Sequence, residues 1–80
     1  MNLSYNQLQS IIPSDELHYV EDCGQFMEDN EYNMKDYAQY EYIIFSETTD
    51  YLTDTLNNLM TSKVPFKVEY DEFNLEFILV

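Results

Sequence analysis

Apolar positions recur along the chain with two different periods. Over Tyr5–Ile12, Leu8, Ile11 and Ile12 fall on one side of a short helix, with Ser4 placed to cap it and Pro13 to end it. Ser14 restarts the chain, with Asp15 and Glu16 in a first turn. Leu17, Val20 and Cys23 then follow at spacing three, which favours a helix over 15–23, while the β-rich run Leu17–Val20 keeps a strand open. Gly24, the only glycine, reads as the break after this element. From Gln25 to about Ala38 the pattern is weakly helical, with Phe26, Met27, Met34, Tyr37 and Ala38 able to share a face. Tyr40–Ser46 is β-branched and aromatic and apolar on both faces at its centre, as a central strand is.

The clearest helix comes next. Thr48 or Thr49 caps it, Leu52, Leu56, Leu59 and Met60 form its buried stripe, and Asp50, Asp54, Asn57 and Thr61 lie opposite. Lys63 near its end complements the helix dipole. Pro65 opens a strand in which Phe66, Val68 and Tyr70 alternate with Lys67, Glu69 and Asp71. A turn over 71–74 leads to a last strand, in which Leu75, Phe77 and Leu79 alternate with Asn74, Glu76 and Ile78. The expectation is one α+β domain over 1–80. It has a helix-rich N-terminal half and a small, mainly antiparallel three-stranded sheet ending in a C-terminal β-hairpin.

Charge changes the picture more than composition does. Sixteen Asp and Glu face three Lys and no Arg, for a net charge of −13. Three lysines cannot neutralise that excess internally, and a compact chain of this charge repels itself. Solubility is served by a net charge of roughly 2–8 in a small domain, so the excess points to recognition of something cationic. It also argues against nucleic acid or an anionic membrane as a direct ligand. No segment approaches the roughly 18–20 apolar residues of a membrane span, and one cysteine, Cys23, cannot form an internal disulfide. The protein is therefore expected in the cytoplasm, as a monomer or, through an exposed Tyr/Phe patch, a homodimer.

Catalytic chemistry finds little footing. His18 is the only histidine, and apart from Cys23 no neighbouring residue suggests a nucleophile–base pair. Glu28–Glu41 is acidic enough to suggest a calcium loop, yet it lacks the alternating oxygen ligands and the turn glycine of one. Zinc would need a Cys/His cluster, and a phosphate loop would need more glycine. No cofactor, no metal and no enzymatic activity are expected.

What remains is the acidic surface and its tyrosines. Carboxylates two residues apart on a strand lie about 6.8 Å apart, and those four apart on a helix rise about 6 Å. Both distances are close to the spacing of phosphates along one nucleic-acid strand. Glu69 and Asp71 offer the first spacing; Asp50 and Asp54 offer the second; Asp22, Asp29 and Asp36 recur every seven residues. Tyrosine rings can take Arg or Lys by cation–π contact, which adds Tyr32 and Tyr37 to the candidates. The partner-binding set is Asp22, Glu28, Asp29, Glu31, Tyr32, Asp36, Tyr37, Asp50, Asp54, Glu69 and Asp71. About half of the eight tyrosines are expected to be core instead.

In its size, its charge, its lone cysteine, its lack of arginine and its interleaving of Asp and Glu with Tyr in EDNEYNMKDYAQYEY, the chain resembles the small acidic DNA-mimic proteins that phages use against host defences. That class includes anti-CRISPR proteins, anti-restriction proteins and uracil-DNA glycosylase inhibitors. The resemblance is one of profile and carries no family residue onto this chain. It implies a stoichiometric inhibitor in the host-cell cytoplasm that occupies the nucleic-acid groove of a basic protein such as a CRISPR effector or a restriction enzyme. The other expectation is an acidic antitoxin, immunity protein or regulatory subunit that binds one basic partner without copying DNA.

Overall fold

The structure, a computed structural model, describes residues 3–12, 16–45, 49–70 and 75–80. Helix α1 (Tyr5–Ile11) starts where the sequence places it. The Ser4 hydroxyl accepts from the Gln7 amide while the Gln7 side chain accepts from the Ser4 amide, a reciprocal cap that satisfies two of the helix's free donors. Of the two readings open for the next segment, the favoured helix over 15–23 is corrected and the strand is realised over its first part. Glu16–Tyr19 is a strand, β1, and only Val20–Cys23 turns helically, as a 3-10 turn. Pairing decides the matter: β1 runs antiparallel to β2 (Tyr42–Phe45) over four residues and buries Leu17, and local spacing-three periodicity yields to that sheet contact.

Gly24 ends nothing. With φ of −56° it opens α2 (Gly24–Asp29). The single weak helix expected over 25–38 is two pieces, α2 and the one-turn α3 (Met34–Tyr37), separated at Glu31, whose φ is +63°. The long helix α4 covers Thr49–Thr61, followed by strands β3 (Lys67–Tyr70) and β4 (Leu75–Leu79). The sheet has four strands, not three, in the order β1-β2-β4-β3, with every pair antiparallel. β3 and β4 pair as expected; the turn 71–74 and the cap Thr48 lie outside the described residues.

Both faces of this sheet are covered. On one face Leu17, Tyr42, Ile44 and Ile78 pack with Leu8 and Ile12 of the α1 segment and with Leu52 and Leu59 of α4. On the other, Ile43, Phe77 and Leu79 pack with Val20, Met27 and Tyr37. β2 is the central strand its sequence foretells. β4 is not half-buried as expected: Phe77, Ile78 and Leu79 are all buried, because β4 also lies inside the sheet. Each such apolar side chain contributes about 1.5–3 kcal/mol on full burial, and two faces double the number of sites that one 80-residue chain can use. The α4 stripe also shifts. Thr55 is buried beside Leu52 and Leu59, Leu56 is half-buried, and Met60 is 59% exposed. Among the described residues no helix is long and apolar enough to cross a membrane.

Candidate functional site

Charge is divided by layer. α1 carries no charged residue, and α4 carries two aspartates. The layer on the other face, from Val20 to Glu41, carries Glu21, Asp22, Glu28, Asp29, Glu31, Asp36 and Glu41, all exposed, against one lysine, Lys35. The candidates Asp22, Glu28, Asp29, Glu31 and Asp36 therefore belong to one layer. They sit on separate short elements: Asp22 on the 3-10 turn, Glu28 and Asp29 on α2, Glu31 in the turn after it, Asp36 on α3. Asp50 and Asp54 are on α4, which packs on the opposite face, and Asp54 is exposed. Asp71 lies outside the described residues.

Glu69, Tyr32 and Tyr37 come together, and each has a partner within the chain. Lys67 and Glu69 of β3 share the face of Phe77 and Leu79, to which they are register partners. Lys67 Nζ lies 3.2 Å from Glu69 Oε1 and 5.5 Å from the centroid of the Tyr37 ring. The register slips between Glu69 and Tyr70, leaving Glu76 of β4 unpaired in a β-bulge. The Tyr32 hydroxyl donates to its carboxylate. Tyr32 also stands edge-on to Tyr37 at 5.7 Å and to Phe77 at 5.3 Å. Burial, and then the hydrogen bond to Glu76, holds the Tyr32 hydroxyl proton well above the ordinary tyrosine range. Burial and the nearby Glu69 carboxylate push Tyr37 in the same direction. The hydrogen bond and charge of Glu69 raise Lys67.

Tyr37 is accordingly core, with 6% of its surface exposed, and cannot offer a ring face to a partner. Within the chain, Lys67, Tyr37 and Glu69 make the contact that the sequence assigns to an outside cation. Among the described residues, Lys67–Glu69 is the ion pair that a lysine makes.

Two recesses flank this acidic layer. One, of about 650 Å³, lies between Tyr19, Val20 and Glu21 on one side and Ala38, Tyr40 and Glu41 on the other, with Lys35 on its lining. The second, a shallow depression of about 470 Å³ that is wide open to solvent, is lined by Glu16, His18, Asp22, Cys23, Phe26 and Phe45. Of these six, the sequence singles out only Asp22 as a partner contact. As a helix, 15–23 would send Glu16 and His18 to different sides; as a strand it sets them two apart on one face, with His18 Nε2 3.5 Å from Glu16 Oε2. Burial, and secondarily Asp22, pushes the Cys23 thiol up, which suppresses the thiolate a nucleophile would need. Among the described residues no three His, Cys, Asp or Glu side chains are grouped to hold a metal ion. Compared with known proteins, the chain matches no family model, no curated protein and no solved structure.

Proposed function

We propose that the protein is a non-enzymatic inhibitor that binds the positively charged nucleic-acid groove of a host defence protein, in the manner of anti-CRISPR and other DNA-mimic proteins. The observation that carries this reading is the segregation of charge: seven exposed carboxylates between Val20 and Glu41, and none on α1. A molecule acidic merely for solubility has no reason to gather seven of its sixteen carboxylates over one face of its sheet while, among the described residues, the two helices on the other face carry two. The gathered charge repels itself, and a cationic groove relieves that repulsion on binding.

The reading is tested by competition. A purified basic effector, either a CRISPR effector or a restriction enzyme, is loaded with labelled duplex DNA and titrated with the protein. Displacement of the DNA is expected, with an affinity that falls as salt rises, because binding releases the anions held by the groove. Replacing Glu28, Asp29, Glu31 and Asp36 with their amides is expected to weaken displacement while the fold is retained. An affinity that stays level from low to high salt would eliminate charge mimicry.

A second reading is favoured by one feature. The candidate carboxylates of the acidic layer sit on several short elements, not along one helix or strand, so no single backbone period imposes a phosphate-like repeat on them. That suits an antitoxin, immunity or regulatory protein that binds one basic partner without copying DNA. Such a protein would bind its partner in a salt-dependent way and leave the partner's DNA in place.

A further inference from the structure

We propose that the recess between β1 and α2 receives an arginine side chain of the partner protein; this deepens the cationic-partner reading above and rests on it. The recess arises from the shortness of the covering elements. Glu16, His18 and Phe45 occupy the sheet face on which Ile43, Phe77 and Leu79 are buried, as the register pairs Glu16 with Phe45 and His18 with Ile43. α2 has six residues and the 3-10 turn before it four. They seal the middle of that face through Val20 and Met27 and leave the β1 end open.

The walls are aromatic and the rim is anionic. Phe26 stands edge-on to Phe45 at 5.1 Å and to Phe77 at 6.0 Å, so its ring is held in place although 36% of its surface is exposed. His18 meets Phe45 edge-on at 5.9 Å. Glu16 and Asp22 are exposed beside these rings. A guanidinium is planar and weakly hydrated. It stacks on an aromatic face while its edge donates to a carboxylate, a combination that a compact, strongly hydrated ammonium matches poorly. Cys23, its thiol held neutral by burial, adds no charge to the lining.

None of the chain's own lysines lines this recess. Lys67 is held by Glu69 on β3, at the far edge of the sheet, Lys63 follows α4, and Lys35 lines the other groove, where an incoming cation would meet it. Charge complementarity therefore selects the Phe26–Phe45 recess over the Tyr19–Tyr40 groove.

The probes are hexa-arginine and hexa-lysine amides, equal in charge, titrated at low salt into isotope-labelled protein with the ring resonances of Phe26, Phe45 and His18 followed by NMR. Hexa-arginine is expected to bind about two- to fivefold more tightly and to shift those ring signals. The double variant Glu16→Gln, Asp22→Asn and the single variant Phe26→Leu are each expected to bring its affinity down to the hexa-lysine level. The double variant alters only exposed side chains, so its result does not depend on a repacked Phe26. Equal affinities with unmoved rings, while amides of α2 and α3 shift with both peptides, would overturn the arginine recess and leave the cationic partner standing. Failure of both peptides to bind at low salt would overturn the two together.

Discussion

At the scale of single residues, two positions hold a choice that costs stability. Gly24 has helical backbone angles at the start of α2, and, its chain neighbours and own helix backbone aside, a Cβ there would meet no described atom within 4 Å. Its conformational freedom in the unfolded chain is lost on folding for no steric benefit. Gly24→Ala is expected to stabilise the protein by about 0.4–1 kcal/mol, seen as a higher urea midpoint at unchanged slope; a lower midpoint would mean that the glycine serves a contact the fold does not display. Thr55 is the second case. It is wholly buried between Leu52 and Leu59 of α4, and among the described residues its hydroxyl finds no hydrogen-bond partner. Thr55→Val keeps the branched shape and removes a desolvated hydroxyl, so a gain of roughly 1 kcal/mol is expected in the same assay. The sequence shows Thr55 only as a polar interruption in a leucine stripe, which is why Met60 reads as the inward residue in its place. At about 100° per residue, Leu52, Thr55 and Leu59 fall within about 60° of one another, whereas Met60 lies about 80° to the other side of Leu52 and faces outward.

At the scale of elements, what the sequence conveys and what it hides divide along one line. Elements whose signal is local are legible: α1 from Ser4, α4 from its leucines, β2 from its continuous apolar run. The elements misread are those decided by non-local pairing or by an unusual cap. For β1 the run Leu17–Val20 leaves a strand open against the spacing-three pattern, and the choice between them is made by β2 lying beside it. The break between α2 and α3 is hidden for a different reason. α2 ends with the Tyr32 amide donating to Met27 and the Glu31 amide to Glu28; α4 ends with the Val64 amide donating to Leu59 and the Lys63 amide to Met60. Both are Schellman closures, with an apolar contact of Tyr32 near Met27 and of Val64 near Leu59. The residue in the left-handed region is Glu31 in one and Lys63 in the other, with φ of +63° and +60°, where glycine is usual. A chain with one glycine, placed elsewhere, gives no sequence mark of either stop. The acidic layer was likewise legible as composition, and the aromatic recess was not, because it exists only once β1 is a strand. Glu31→Gly and Lys63→Gly are each expected to relieve left-handed strain and stabilise by about 0.5–1 kcal/mol. Glu31→Gly should gain more, since it also removes one of the excess negative charges while Lys63→Gly removes a scarce positive one. Equal midpoints for the two variants would show that long-range repulsion adds little to the stability of this fold.

At the scale of the whole molecule, the balance is between a core sealed on both faces and a net charge of −13, and alkaline pH shifts it against the fold. Tyr32 and Tyr37 hold their protons more tightly in the folded protein than in the unfolded chain, where tyrosine titrates near 10.0. Below that value both states are protonated and the contribution of these groups is fully present. Above it the unfolded chain ionises first, and stability drains away as pH climbs through the folded values. Lys67 acts in the same sense: Glu69 raises it above its ordinary 10.5, so its share is intact below that pH and is lost as the folded protein finally gives up the proton. Each ionised tyrosine also adds a negative charge to a chain that already repels itself. The melting temperature is therefore expected to hold level up to about pH 9 and to fall steeply above about pH 10. Phenylalanine cannot titrate, so Tyr32→Phe with Tyr37→Phe should start from a lower melting temperature at neutral pH, having lost the hydrogen bond to Glu76, and then decline less steeply. Circular dichroism melts of the two proteins across that range provide the comparison, repeated at high salt, where screening removes the long-range repulsion and leaves the local linkage. Parallel alkaline limbs under both conditions would mean that Tyr32 and Tyr37 give up their protons as readily in the folded protein as in the unfolded chain, and that the Tyr32–Glu76 and Tyr37–Glu69 contacts do not hold this edge of the sheet to the acidic layer.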